Sequence, residues 1–128
     1  MRLLLDTHLL IWAAQEDVRL PKAARVFMEN ETHELVFSAA SLWEIVIKRG
    51  LERQDFQVEP SLLRRGLLDN GWQELPVLSL HTLAVARLPA LHKDPFDRLL
   101  LAQAETEGML LLTTDRQLAS YGGPVQLV

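Results

Sequence analysis

Short apolar runs alternate along this chain with stretches of helical spacing. Residues 2–5 and 109–113 are apolar almost throughout, as strands buried on both faces are. The pattern predicts strands over 2–5, 34–37, 73–78 (broken by Pro76), 109–113 and 124–127. It predicts helices over 8–14, 21–28 from Pro21, 41–48 ending near Gly50, and 60–69 ending near Gly71. Further helices are predicted over 79–88, 94–107 with Gly108 as its stop, and 115–119. Strands alternating with helices imply an α/β fold with a mainly parallel sheet covered on both faces. In such sheets ligands bind beyond the carboxyl ends of the strands, where strand order switches.

The chain has 128 residues and shows no repeat, linker or low-complexity tract, so a single domain over 1–128 is expected. It has no cysteine, which removes disulfides and thiolate zinc sites and fits a cytoplasmic protein. No segment reaches membrane-span length, and the N-terminal apolar run stops at Asp6 without a secretory pattern. The net charge is −4, which counts against a module that grips nucleic acid by surface charge alone. It counts less against a metal enzyme, whose bound cation reverses the local sign. The hydrophobic fraction of 48% hints at a partner surface, and the apolar helix around Leu9, Leu10 and Trp12 is a candidate for it.

Four acids stand at the ends of apolar runs: Asp6 after the first strand, Glu44 and Asp97 in first helical turns, and Asp115 after Thr113-Thr114. Carboxylates without thiols, and with few histidines, suit hard cations such as Mg²⁺ or Mn²⁺. Each acid also has a structural reading. Asp6 and Asp115 are suited to N-cap the helices that follow them. Glu44 completes a capping box with Ser41 and precedes Lys48 by four residues, the order that favours an ion pair. Asp94 is the natural N-cap of the longest helix, with Pro95 at its first position. Asp97 shares a helix face with Leu101 and Ala104, which turns it toward packed structure or a cleft. Thr7, Ser38 and Thr113 are placed either to bond the carboxylates or to cap helices and turns.

The four histidines lack zinc spacing. His92 lies close to Asp97 and is a candidate substrate contact, though its setting also reads as a solvated loop. Arg98 is near enough for a phosphate but equally reads as surface charge. Trp12 and Trp43 read as core or interface residues.

Four motifs run in order through the chain: Leu3-Leu4-Leu5-Asp6-Thr7-His8, Ser38-Ala39-Ala40-Ser41-Leu42-Trp43-Glu44-Ile45, His92-Lys93-Asp94-Pro95-Phe96-Asp97-Arg98-Leu99-Leu100 and Leu111-Leu112-Thr113-Thr114-Asp115. Together they resemble the PIN-domain ribonucleases, and most closely the VapC-like toxins of bacterial toxin–antitoxin pairs. The resemblance implies a PIN-like three-layer α/β sandwich with about five mainly parallel strands. It also implies Mg²⁺- or Mn²⁺-dependent hydrolysis of RNA phosphodiester bonds. Asp6, Glu44, Asp97 and Asp115 match the family's acidic quartet, with Asp6 and Asp97 at the positions of the principal metal ligands. Asp94 matches a residue common in this branch. A small antitoxin partner covering the cleft and a homodimer are implied as well.

Two rivals belong to other classes. An aspartate-nucleophile phosphatase would carry a second Asp two residues past the first, where this chain has His8. The glycines form no phosphate loop. A non-catalytic RNA-binding or scaffold protein with a lapsed site is the other rival, and the intact quartet argues against it.

Overall fold

A computed structural model describes residues 1–128. Its strands are β1 (Arg2–Leu5), β2 (Glu34–Ser38), β3 (Gln73–Leu75), β4 (Leu110–Thr113) and β5 (Val125–Leu127). Its helices are α1 (Thr7–Ala14), α2 (Lys22–Glu29), α3 (Ala39–Gly50), α4 (Pro60–Asp69), α5 (Ser79–Val85), α6 (Pro95–Glu107) and α7 (Arg116–Ala119). A single 3-10 turn spans Gln54–Phe56. The five strands form one sheet in the order β3-β2-β1-β4-β5, and every pairing is parallel.

Alternation along the strands builds a helix layer on each face. Leu4, Val36 and Leu111 point one way, into a cluster with Leu100, Leu101 and Ala104 of α6. Leu3, Leu5 and Leu112 point the other way, against Leu9 of α1 and Ala24 of α2. On that second face Phe37 packs with Ile45 of α3, Phe56, and Leu63 and Leu67 of α4. Side chains that alternate by twos along a strand must feed opposite faces, so the apolar central strands require cover on both sides. The result is the expected three-layer sandwich, and its sheet is parallel throughout.

The strand order reverses between β1 and β4. From β1 the chain grows outward to β2 and β3, and it returns across β1 to β4 and β5. The carboxyl ends of β1 and β4 therefore flank the switch point, where such sheets open a crevice. Asp6 directly follows β1, and Asp115 follows β4 by two residues.

Helix boundaries follow local chemistry. Asp94 Oδ1 accepts from the backbone N–H of Phe96 and of Asp97, and Pro95 takes the first helical position of α6. Gly108 ends α6 at φ 68°, in the left-handed region glycine enters freely. α5 ends at Val85, three residues short of the predicted end, and two further differences bear on the site. β3 stops at Leu75, because Pro76 supplies no N–H to continue the ladder. α3 begins at Ala39, with Ser38 as its cap, whose hydroxyl accepts from Ala40 N at 3.0 Å. Ser41 and Glu44 are therefore interior positions on the buried face of α3, and the capping-box assignment for them is overturned.

Leu9 and Leu10 are fully buried in the core, so they offer no partner surface. Trp43 is 59% exposed, which removes it from the core. No helix is long and apolar enough to cross a membrane.

Candidate active site

The site is assembled from four segments. Asp6 stands between β1 and α1, where Oδ1 caps α1 by accepting from Leu9 N at 3.0 Å. Its other oxygen accepts from Thr113 Oγ1 at 2.5 Å, so a hydroxyl from β4 fixes the carboxylate that closes β1. Thr113 Oγ1 also accepts from Asp115 N, which ties the turn after β4 to the same point.

Glu44 is buried on α3. Thr7 Oγ1 lies 2.6 Å from Glu44 Oε1 and 3.0 Å from Ser41 Oγ. Lys48, one turn further along α3, donates to Glu44 Oε2 and lies 3.7 Å from Asp94 Oδ2. The ion pair expected from the i,i+4 spacing is thus present.

Asp97 lies in the first turn of α6, set there by the Asp94 cap. Asp115 caps α7 through Oδ1, which accepts from Gln117 N and Leu118 N. Its Oδ2 meets His92 Nε2 at 2.8 Å, and Asp97 Oδ2 lies 3.4 Å from the same nitrogen. His92 Nδ1 accepts from Asp94 N at 3.0 Å. A neutral imidazole has one donor nitrogen, so the proton belongs on Nε2, pointed at the two carboxylates. His92 is therefore a buried residue that orients Asp115 and Asp97, not a solvated loop residue.

The carboxylates act on one another. Burial, followed by the charges of Asp94, Asp6, Glu44 and Asp115, pushes Asp97 up to about 8. Asp97 thus lies within electrostatic reach of the other three acids of the sequence reading. Burial also raises Asp6, against the hydrogen bonds from Thr113 and Leu9 N–H. For Asp115 burial works upward too, but hydrogen bonds from His92, Leu118 N–H and Gln117 N–H outweigh it and hold the carboxyl below its ordinary range.

Such a cluster suits a hard divalent cation. Carboxylate oxygens of Asp97 and Asp115 lie within 4.8 Å of one another, beside the His92 ring. Asp97 remains under strong repulsion from four neighbouring carboxylates, which a cation relieves. The oxygen-rich set is that of Mg²⁺ or Mn²⁺. His92 offers that set no free lone pair, because Asp94 N–H occupies Nδ1 and Nε2 carries the proton.

The remaining candidates are placed as follows. Ser38 does not reach the acids. Besides capping α3, its hydroxyl donates to Gln103 Oε1 at 2.6 Å. Arg98 spends its guanidinium on the carbonyls of Val85, Leu88, Pro89 and His92 and on the Tyr121 hydroxyl, so it braces the loop that carries His92. Gln103 and Lys48 were not singled out as site residues from sequence. Gln103 lies one turn and a half beyond Asp97, and the only signal for it was a polar residue amid the apolar face of a helix.

A PIN domain family model matches residues 3–124. The chain belongs to the PIN-domain family. It is 31% identical over 121 residues to ribonuclease VapC22 of Mycobacterium tuberculosis, across 94% of this chain and 92% of that protein. That match sets it in the VapC-like branch. Among solved structures, this PIN chain is similar to VapBC2 from Rickettsia felis bound to a DNA fragment from their promoter, with TM-score 0.68 and 14% identity over 100% and 98% of the two chains. It is similar also to a toxin–antitoxin complex from Klebsiella pneumoniae, with TM-score 0.64 and 16% identity over 96% and 94%. These two likenesses extend the PIN fold over the whole length of β1 to β5.

Proposed function

We propose that this PIN chain is a divalent-metal-dependent endoribonuclease and the toxin of a toxin–antitoxin pair, acting as one unit over residues 1–128 in the cytoplasm. The observation that carries the chemistry is the set of converging carboxylates at the switch point, with Asp97 raised to about 8 by burial and by its acidic neighbours. Family membership and the 31% match to a named ribonuclease supply the substrate class.

Asp6, Asp97 and Asp115 are the residues that would hold Mg²⁺ or Mn²⁺. When bound there, the cation neutralises phosphodiester charge and lowers the pKa of a coordinated water. The rest is done by the chain. Thr113 fixes Asp6, and His92 fixes Asp115. The Asp94 cap sets the first turn of α6 and with it Asp97. Glu44, bonded through both oxygens, adds fixed negative charge at the site's edge. No histidine or serine nucleophile is needed.

The partner is a small antitoxin, as in the Klebsiella neighbour. Away from the acids, α1, α2 and α4 enclose an open groove of about 940 Å³, lined by Ala13, Leu20, Met28, Leu63 and Trp72 and rimmed by Glu16 and Arg25. This groove fits an apolar segment of such a partner. A homodimer is part of the same reading. Exposed Trp43 and Val46 on α3 and Leu80 and Leu83 on α5 are apolar surface for it, and both helices pack against α6.

Incubating the purified chain with a structured RNA pool tests the activity, with Mg²⁺, Mn²⁺ or EDTA and with Asp6→Asn alongside. Cutting that needs metal and disappears in the variant is the expected result. RNA binding without turnover under any metal would instead support the lapsed-site rival.

A further inference from the structure

One cation already belongs to the acidic site. Lys48 Nζ lies 2.5 Å from Glu44 Oε2 and 3.7 Å from Asp94 Oδ2, and its side chain is 18% exposed. The ammonium stands 4.8 Å from the Phe56 ring centroid and 5.8 Å from that of Phe96. Two aromatic faces and a carboxylate fix a normally flexible side chain in one place. The second oxygen of Glu44 is taken by the Thr7 hydroxyl. Glu44 is thus a buried carboxylate whose charge and lone pairs are served by protein groups.

The other half of the site has no such cation. Asp97 and Asp115 face His92, whose neutral ring donates one proton between them. Asp6 is met by a hydroxyl and an amide. No lysine or arginine pairs with Asp97 or Asp115, whose only ion-pair partner is His92. Lys48 is shared between a carboxylate of α3 and one of the α6 cap, and it occupies oxygens that could otherwise serve a second divalent ion. Two cations a few ångströms apart repel strongly at low local dielectric, so an ammonium there disfavours a second metal.

We propose that Lys48 is a built-in cation that replaces a second metal ion, so that the site takes one divalent ion, on its Asp6–Asp97–Asp115 side. The inference rests on the metal-site reading above and adds its stoichiometry and the role of Lys48 as a positioning residue for Glu44. Without the lysine, Glu44 is a buried charge lacking its counter-ion, which is costly and which a divalent ion relieves.

The test counts bound Mn²⁺ per folded chain by equilibrium dialysis, for wild type, Lys48→Met and Glu44→Gln. Wild type is expected to saturate at one ion. Lys48→Met is expected to take a second ion and to gain more thermal stability from Mn²⁺ than wild type does. Glu44→Gln is expected to keep the single ion, bound more weakly because a fixed negative charge is lost and Lys48 is left without its partner. Two ions on wild type, a folded Lys48→Met that stays at one, or a folded Glu44→Gln that binds two ions or none each overturns the proposal. If Lys48→Met does not fold, Glu44→Gln decides. No ion on wild type defeats the metal-site reading itself, while two ions defeat only the role given to Lys48.

Discussion

Asp97 shows how a single side chain carries the site's electrostatics. Its folded pKa of about 8 lies far above the 3.8 of an ordinary aspartate. An acid raised in this way stabilises the metal-free fold fully below its unfolded value, and that contribution is lost as pH rises through the folded value. Between about pH 4 and pH 8 the ionised form is therefore an increasing burden. Asp97→Asn should raise the melting temperature of the metal-free protein at pH 8 by several degrees, on the order of 1–3 kcal/mol, with little change at pH 4. The same substitution should reduce RNA cleavage by more than about a hundredfold, because it removes a metal ligand rather than a ligand's support. Metal binding must displace that proton, so Mn²⁺ affinity in wild type should rise with pH up to about 8 and level off above it, as read by calorimetry. At this scale much of the site was legible. Asp6, Asp97 and Asp115 betrayed themselves by standing at strand ends and in a first helical turn. His92 did not, because its burial depends on Arg98 bracing the loop and on a carboxylate 23 positions away in sequence. His92→Ala should accordingly lower metal affinity by about 10–100-fold while leaving the circular dichroism spectrum unchanged.

At the scale of elements, the helices that cap on acids are the ones the sequence reading placed best. Asp94-Pro95 and Gly108 bracket α6 by stereochemistry alone, so no distant contact was needed to find its ends. α3 was harder. Ser38 and Ser41 are both reasonable caps by local preference, and the choice falls to Ser38 because its hydroxyl also reaches Gln103 on α6. Shifting the start by one turn moves Glu44 from a helix end to a buried face, which turns a cap into a site residue. The Ser38–Gln103 bond also joins the start of the helix bearing Glu44 to the helix bearing Asp97. Arg98 makes a comparable tie between α6 and the loop after α5. Arg98→Met should speed amide hydrogen exchange across residues 86–93 and slow cleavage by about tenfold, without loss of overall fold.

For the molecule as a whole, the order β3-β2-β1-β4-β5 decides where chemistry can occur. Reversal between β1 and β4 brings residues 6 and 113 into hydrogen-bond contact across 107 positions of sequence. Alternation of strands and helices announced a parallel sheet, and the apolar character of 2–5 and 109–113 announced its centre. Strand order itself has no local signature, and only the structure supplies it. The partner surface was legible only in part for a similar reason. An apolar α1 reads the same whether it faces the core or a partner, and here its Leu9 and Leu10 are core. α3 and α5 do carry exposed apolar residues, with Leu83 72% exposed. Leu83→Arg should shift a dimer toward monomer in sedimentation velocity while leaving the melting temperature near that of wild type.

The central claim is that the converging acids form a metal-dependent ribonuclease centre. Its most direct test is single-turnover cleavage of one defined RNA, isolated as cut by the purified chain from a structured pool, comparing wild type with Asp97→Asn in Mn²⁺ and in EDTA. Wild type is expected to cut in Mn²⁺ and not in EDTA, and the folded variant to cut above background in neither condition. Undiminished cutting by wild type in EDTA, or by Asp97→Asn in Mn²⁺, would contradict the claim.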